Sequence, residues 1–304
     1  MKKFIYIIVL GLFFIFLINK KYIFKPSEMS DEQIHYTILN GSINDVQEII
    51  QNGYNVNKVF HCSTLLNTAI QSAAQGSNFS HTPKLAIEKV RLLVEAGADV
   101  NLTPCEGQNM APLNWAISLP LQAEYVAKKI NQAIEERIKN GEGNCDIPTV
   151  ISKPCKDVTQ AEKEKMQEAI EWSYSVISKH LIPYFMEITE YLVSKRADIN
   201  GYKNNKNQIA PIHLAAINPE NTTMEILNYV IKKGANLNVR DKYGNTPLFW
   251  AHGAGNLDAV AALKQAGADV NIKNESGLTF NEMKVMPIHS IFNENCKIVL
   301  EELK

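Results

Sequence analysis

An excess of charge of either sign is missing from this chain. Its 31 lysines and arginines are offset by 32 aspartates and glutamates over 304 residues, a formal net charge of -1. Without a concentrated basic surface there is no electrostatic case for nucleic acid as a partner. Cysteine is also sparse. Cys62, Cys105, Cys145, Cys155 and Cys296 contain no C-x-x-C pair, so a zinc site is not expected. Equally absent are a phosphate-cradling glycine loop, a nucleophile elbow and a histidine pair at metal-ligand spacing. Glu135, Glu136, Glu162 and Glu164 alternate with lysines and read as solvated helix faces rather than paired acids. No catalytic residue, metal or cofactor is therefore expected. Apolar residues are not lacking, at 45% of the chain, which suffices for a large core and argues against disorder.

Long apolar runs are rare, and the one present lies at the start. Met1-Lys2-Lys3 precedes an apolar run from Phe4 to Ile18, followed by Asn19-Lys20-Lys21. A basic start and an apolar stretch have the form of a secretion signal or signal anchor. No small residue lies between Ile18 and Phe24 to mark a cleavage site, and no cysteine follows closely enough for lipoprotein processing. The expectation is an uncleaved anchor over residues 1–25, lengthened through Tyr22-Ile23-Phe24 if Lys20 and Lys21 snorkel to the interface. The short N-terminal tail favours that end in the cytoplasm, with residues 26–304 translocated. A second start at Met29 would give an additional cytosolic form without the anchor.

The rest of the chain is organised around a recurring pattern, clearest from Asn238 to Asn274. Thr246-Pro247-Leu248 opens a short helix, with Pro247 in the first turn and Thr246 placed to cap it. Gly255-Asn256 ends that helix, Leu257 to Gln265 forms a second, and Gly267 supplies a left-handed C-cap before Ala268-Asp269-Val270-Asn271. This stretch resembles the ankyrin repeat, a turn plus two antiparallel helices about 33 residues long. One unit cannot bury its own apolar face, so more units must stack on it.

They do. Asp31 to Asn57 reads as an N-terminal capping unit, and Thr64-Leu65-Leu66-Asn67 to Asn101 as a second unit with an enlarged loop over residues 75–83. A third opens at Ala111-Pro112-Leu113-Asn114 but closes only at Ala197-Asp198-Ile199-Asn200. A fourth runs from Ala210-Pro211-Ile212-His213 to Asn238, the fifth is the guiding stretch, and Gly277 to Lys304 reads as a C-terminal cap. The excess length in the third unit holds no repeat opening and no repeat close. Its helical spacing over residues 125–138, and again from a Thr159/Glu162 capping box, predicts a helical-hairpin insertion at 117–185. The expected fold is therefore all-α: a solenoid of about six units with caps, carrying one insertion and an N-terminal membrane helix.

The ankyrin resemblance implies a protein partner bound on the concave face by inter-repeat fingertips and first helices. By position this points to Phe60, His61, Tyr202, Lys203, Lys242 and Tyr243 on the tips, and to Trp115 and Trp250 in the first helices. His213 falls on the histidine that ties neighbouring repeats in the family. Cys145 and Cys155 bracket part of the insertion loop. In an oxidising compartment their bridging would remove loop entropy on the order of 2–3 kcal/mol, whereas in a cytosol they would stay thiols. An ankyrin domain behind an uncleaved anchor is similar to bacterial immunity proteins that neutralise type VI secreted phospholipase effectors. That likeness implies a monomer or a heterodimer with a lipase-like toxin, at the inner membrane and facing the periplasm. A periplasmic scaffold for a resident enzyme such as a catalase, or a secreted host-directed effector, are the alternatives.

Overall fold

The computed structural model describes residues 29–73, 82–104, 111–120, 139–140, 144–147, 151–157, 159–162, 164–165, 182–201, 207–217 and 224–283. The expected anchor over 1–25 and most of the capping segment after Gly277 lie outside them. Among the described residues no helix is long and apolar enough to cross a membrane.

Five helix pairs follow one another. They are α1 (Asp31–Asn40) with α2 (Ile43–Gln51), and α3 (Leu65–Ser72) with α4 (Thr82–Glu95). Next comes α5 (112–120) with α6 (Ile182–Ser194). The last two pairs are α7 (Pro211–Ile217) with α8 (Met224–Lys232) and α9 (Pro247–Gly253) with α10 (Leu257–Gln265). A short 3-10 turn at Phe280–Glu282 begins the sixth unit.

The two helices of a pair differ because their surroundings differ. First helices are packed by units before and behind and by their own second helix, so all seven residues of α7, from Pro211 to Ile217, are buried. Second helices face solvent on one side. In α8 only Ile226, Leu227 and Val230 are fully buried, at helical spacing, and in α10 only Ala259 and Leu263. One continuous apolar core results, running from Ile34 in α1 to Phe280 in the last turn.

Helix ends follow the residues available. Ser30 and Ser42 each form a capping box, with Gln33 and Asp45. Asn256 caps α10 by accepting from the Ala259 N–H at 2.9 Å and also donates to the Ala216 carbonyl of the preceding unit. Thr159 and Glu162 form the expected reciprocal bonds. Thr246 departs from expectation. It stands at the N-cap of α9 with extended backbone, but its hydroxyl makes no capping bond and is buried without a partner. Pro247, having no N–H, does occupy the first turn. At the other end of the second helices, Gly97, Gly234 and Gly267 take φ 95, 88 and 98, and the third unit places Arg196 there at φ 69.

A ladder of asparagines joins the units. The Asn57 side chain accepts from the Asp99 N–H (2.7 Å) and donates to the Gly97 carbonyl (2.9 Å). Asn101 does the same to Asp198 N–H (2.7 Å) and the Arg196 carbonyl (3.1 Å). Asn200 accepts from Asn236 N–H and Asn238 from Asp269 N–H. The rung from Asn101 spans 97 residues, yet has the geometry of the others. The second helices follow suit, since α6 lies against both α4 and α8. The solenoid is therefore in register across the long third unit.

Within that unit the described residues hold one structure the periodicity did not announce. Strand β1 (Asn144–Ile147) pairs antiparallel with β2 (Ile151–Pro154), in the register Asn144↔Pro154 to Ile147↔Ile151, followed by a 3-10 turn at Cys155–Asp157. The two helical stretches expected for the hairpin fall mostly outside the described residues. The ribbon sets Cys145 opposite Lys153, two residues before Cys155. Apart from this ribbon, and an isolated bridge between Phe60 and Ser63, the described fold is helical, as an all-α repeat solenoid requires.

Lys89 on α4 is the one lysine among the largest fully buried side chains, at 1% exposure. Its ammonium donates to the Ile38 (2.7 Å) and Leu39 (3.3 Å) carbonyls, which the end of α1 leaves without helical partners. Burial pulls its pKa down to about 8, against an opposing contribution from Asp45. The capping unit is thus held to the second unit by a buried charge as well as by apolar contact.

Candidate binding surface

Fingers rise between the units, and their rigidity starts with individual side chains. In the fourth finger the carboxylate of Asp241, 5% exposed, accepts from the Tyr243 and Asn245 N–H groups, both at 2.8 Å. Its second oxygen accepts from the Asn245 side chain at 3.2 Å and from the Trp250 indole N–H at 2.9 Å. Gly244 closes the turn at φ 76, and a Cβ there would lie 2.9 Å from the Glu275 nitrogen, so only glycine fits. The fifth finger repeats the design with Asn274, which accepts from Ser276 and Leu278 N–H.

Neighbouring fingers are strung together through the backbone. Lys242 N–H donates to the Asn207 carbonyl at 3.0 Å, and Glu275 N–H donates to the Tyr243 carbonyl at 2.9 Å. Asn274 donates to the Asn245 side chain at 3.0 Å, and Arg240 pairs with Glu275 at 3.1 Å. The edge formed by these fingers is therefore preformed. At its crest Tyr243 is 51% exposed, with the Lys242 ammonium 4.6 Å from its ring centroid.

Beneath the fingers, His213 ties units together. It is wholly buried; Nδ1 accepts from Ala210 N–H at 3.0 Å, which leaves the proton on Nε2 to donate to the Asn245 carbonyl at 3.2 Å. Burial holds its pKa down to about 4 despite the opposing field of Asp241. Asn114 occupies the same motif position one unit earlier and makes the equivalent bond, from Nδ2 to the Ile209 carbonyl at 3.1 Å. Phe249 has no such donor, and the link to the sixth unit passes instead between His252 Nε2 and the Met283 carbonyl at 3.0 Å.

The first finger is built differently. Phe60 and Ser63 exchange both backbone hydrogen bonds, so His61 and Cys62 form a two-residue corner at φ 45 and 55. Phe60 packs on the His61 edge at 4.2 Å and on His35 of α1 at 5.4 Å. At the base, Asp31 receives the Lys58 ammonium at 2.7 Å and the Tyr54 hydroxyl at 2.8 Å. These bonds, Lys58 first, hold the Asp31 carboxyl below its ordinary range.

Set against the residues singled out in the sequence, His61, Lys242 and Tyr243 stand exposed on finger tips and Phe60 is half-buried. Trp115 is half-buried in α5. Trp250 is 8% exposed, its N–H committed to Asp241 and its ring 5.3 Å from His213, so it braces the finger from below. Tyr202 and Lys203 lie outside the described residues. Sequence reasoning passed over Val59 and Leu278, each 38% exposed on a finger, because they sit in turns where neither helix nor strand periodicity applies. It also passed over Cys62, which is disulfide-bonded. Among the described residues no cluster of three or more His, Cys, Asp or Glu side chains could hold a metal.

Comparison with known proteins agrees with this geometry. Residues 182–274 match the ankyrin-repeat family model in three copies and are ankyrin repeats. A ZDHHC13 protein of Danio rerio is 30% identical over 213 residues, covering 67% of this chain and 31% of that protein. Palmitoyltransferase ZDHHC13 of Homo sapiens is 40% identical over 86 residues, 27% of this chain and 12% of that protein. NF-kappa-B inhibitor alpha of Gallus gallus is 38% identical over 80 residues, 26% and 24% of the two chains. The chain spans less than a third of the length of these curated relatives.

Proposed function

We propose that this chain, whose ankyrin repeats make it a protein-binding module, acts without catalysis as a stoichiometric inhibitor that holds its target on the finger edge. The observation that carries this reading is the preformed edge of fingers three to five, with the exposed Tyr243 ring at its crest. A tight complex needs a rigid surface so that little ordering is left to offset on binding, and an exposed aromatic beside a cation is a common anchor. That one matched relative is itself an inhibitor by name is in keeping with this mode. The similarity to palmitoyltransferases covers 31% of the Danio rerio protein and 12% of the Homo sapiens one.

The target we propose is a secreted antibacterial toxin of phospholipase type, met in the periplasm by a domain held at the inner membrane. Support comes from the basic, apolar, basic segment of residues 1–21 joined to a repeat domain. Co-expression tests it. Cells producing the lipase-like protein encoded beside this gene should survive when this chain is present and lyse when it is absent. Equal killing in the two cases would overturn the assignment.

A further inference from the structure

The corner of the first finger has a backbone that its residues do not favour. A two-residue turn closed by both Phe60–Ser63 hydrogen bonds and with positive φ at each corner position is of the type for which Asn-Gly is the usual filling. Here the corners are His61 and Cys62, at φ 45 and 55. Neither lacks a Cβ, and left-handed backbone disfavours both. Cys62 is disulfide-bonded. The corner is also wired to the first two units: His61 rests on Phe60, Phe60 on His35, and His35 Nδ1 lies 2.8 Å from Thr68 Oγ1. Ser63 Oγ reaches the same Thr68 hydroxyl at 3.3 Å.

We infer that the first finger is redox-locked: the Cys62 disulfide holds the left-handed His61–Cys62 corner and with it the presented face of Val59, Phe60 and His61. A cross-link removes the open alternatives of the corner, so the left-handed pair survives without glycine. Reduction by a dithiol supplies two electrons and two protons. The disulfide breaks into two thiols while the dithiol closes into its own cyclic disulfide. The corner then relaxes, the Phe60–Ser63 bonds open and the two ring contacts loosen. An oxidising compartment keeps the lock shut and a thiol-reducing cytosol opens it. The consequence for binding rests on the finger-edge reading above, but the lock is measured with no partner present.

The test uses the full chain, with and without dithiothreitol. Peptide mapping of unreduced, alkylated protein should find Cys62 in a cross-linked peptide. Hydrogen exchange should show the Phe60 and Ser63 amides protected, and reduction should speed their exchange at least about tenfold. The Asp99 amide on the asparagine ladder should stay unchanged. Cys62→Ser should show fast exchange without any dithiol. The double variant His61→Asn with Cys62→Gly, which installs the favoured turn residues, should stay protected and ignore dithiothreitol. Free, alkylatable Cys62 in the unreduced protein, or unchanged exchange at Phe60 and Ser63 after reduction, would overturn the lock. Dithiol sensitivity of those amides persisting in the double variant would do the same.

Discussion

At the scale of single residues, the departures from the repeat pattern carry the physics. Arg196 adopts φ 69 where the second, fourth and fifth units place glycine. An L-residue there costs roughly 1–2 kcal/mol of backbone energy, offset in part by the greater freedom glycine has when unfolded. Arg196→Gly should therefore raise stability by about 1 kcal/mol, read from urea unfolding midpoints at unchanged slope. His213 gives a pH signature. Its folded pKa, about 4, lies below the ordinary 6.5, so the unfolded chain takes up this proton first as pH falls. The stability it confers is complete above about 6.5 and is lost as pH drops through 4. In His213→Asn the amide can keep the bond to the Asn245 carbonyl, as Asn114 does to Ile209. That variant should lose less stability than the native chain between pH 6.5 and 4. An identical loss in both would mean that other groups set the acid limit.

At the scale of elements, the third unit separates scaffold from excursion. Helix α5 continues to residue 120 and α6 is already buried at Ile182 and Phe185, so both belong to the solenoid wall. Asn101 reaches Asp198 and Asn114 reaches Ile209, so both bonds join residues on either side of the excursion. Replacing residues 121–181 by a short Gly/Ser linker should leave the helical signal per residue and the melting midpoint of the solenoid close to native, within about 5 °C. A broad, non-cooperative melt would show instead that the segment is part of the wall. By contrast, Asn101→Ala removes two hydrogen bonds at one junction and should cost about 1–3 kcal/mol, measured by denaturant unfolding. The helices were legible in the sequence because apolar spacing and capping residues are local. The β-ribbon was not, since Asn144–Ile147 and Ile151–Pro154 alternate weakly and only their pairing makes them strands.

At the scale of the whole molecule, a row of rungs turns separate units into one body. The third, fourth and fifth fingers are bonded one to the next, so the edge carrying Lys242, Tyr243 and Glu275 behaves as one surface. If this edge receives the partner, Tyr243→Ala should weaken binding to the co-purified target at least about tenfold while shifting the melting midpoint by less than about 1 °C. Tyr243 is half in solvent and is not itself a core residue, so fold and affinity are separable there. Trp250→Phe should behave in the opposite way, loosening the finger through the lost bond to Asp241.

The sequence by itself determined the order of the five described helix pairs and the asparagine-ended turns, because a repeat writes the same local instructions several times. Asn57, Asn101, Asn200, Asn238 and Asn271 were visible as a pattern before their role was known. Tertiary structure alone decided what that pattern is for, since Asn57, Asn101, Asn200 and Asn238 each serve the following unit and not their own. It also decided that Trp250 is a brace and Tyr243 a surface, although both are aromatic and nine residues or fewer from Asp241. Exposure and hydrogen-bond partners depend on which units are stacked beside a residue. No window of sequence contains that neighbour, and the 97-residue rung from Asn101 to Asp198 is the clearest instance.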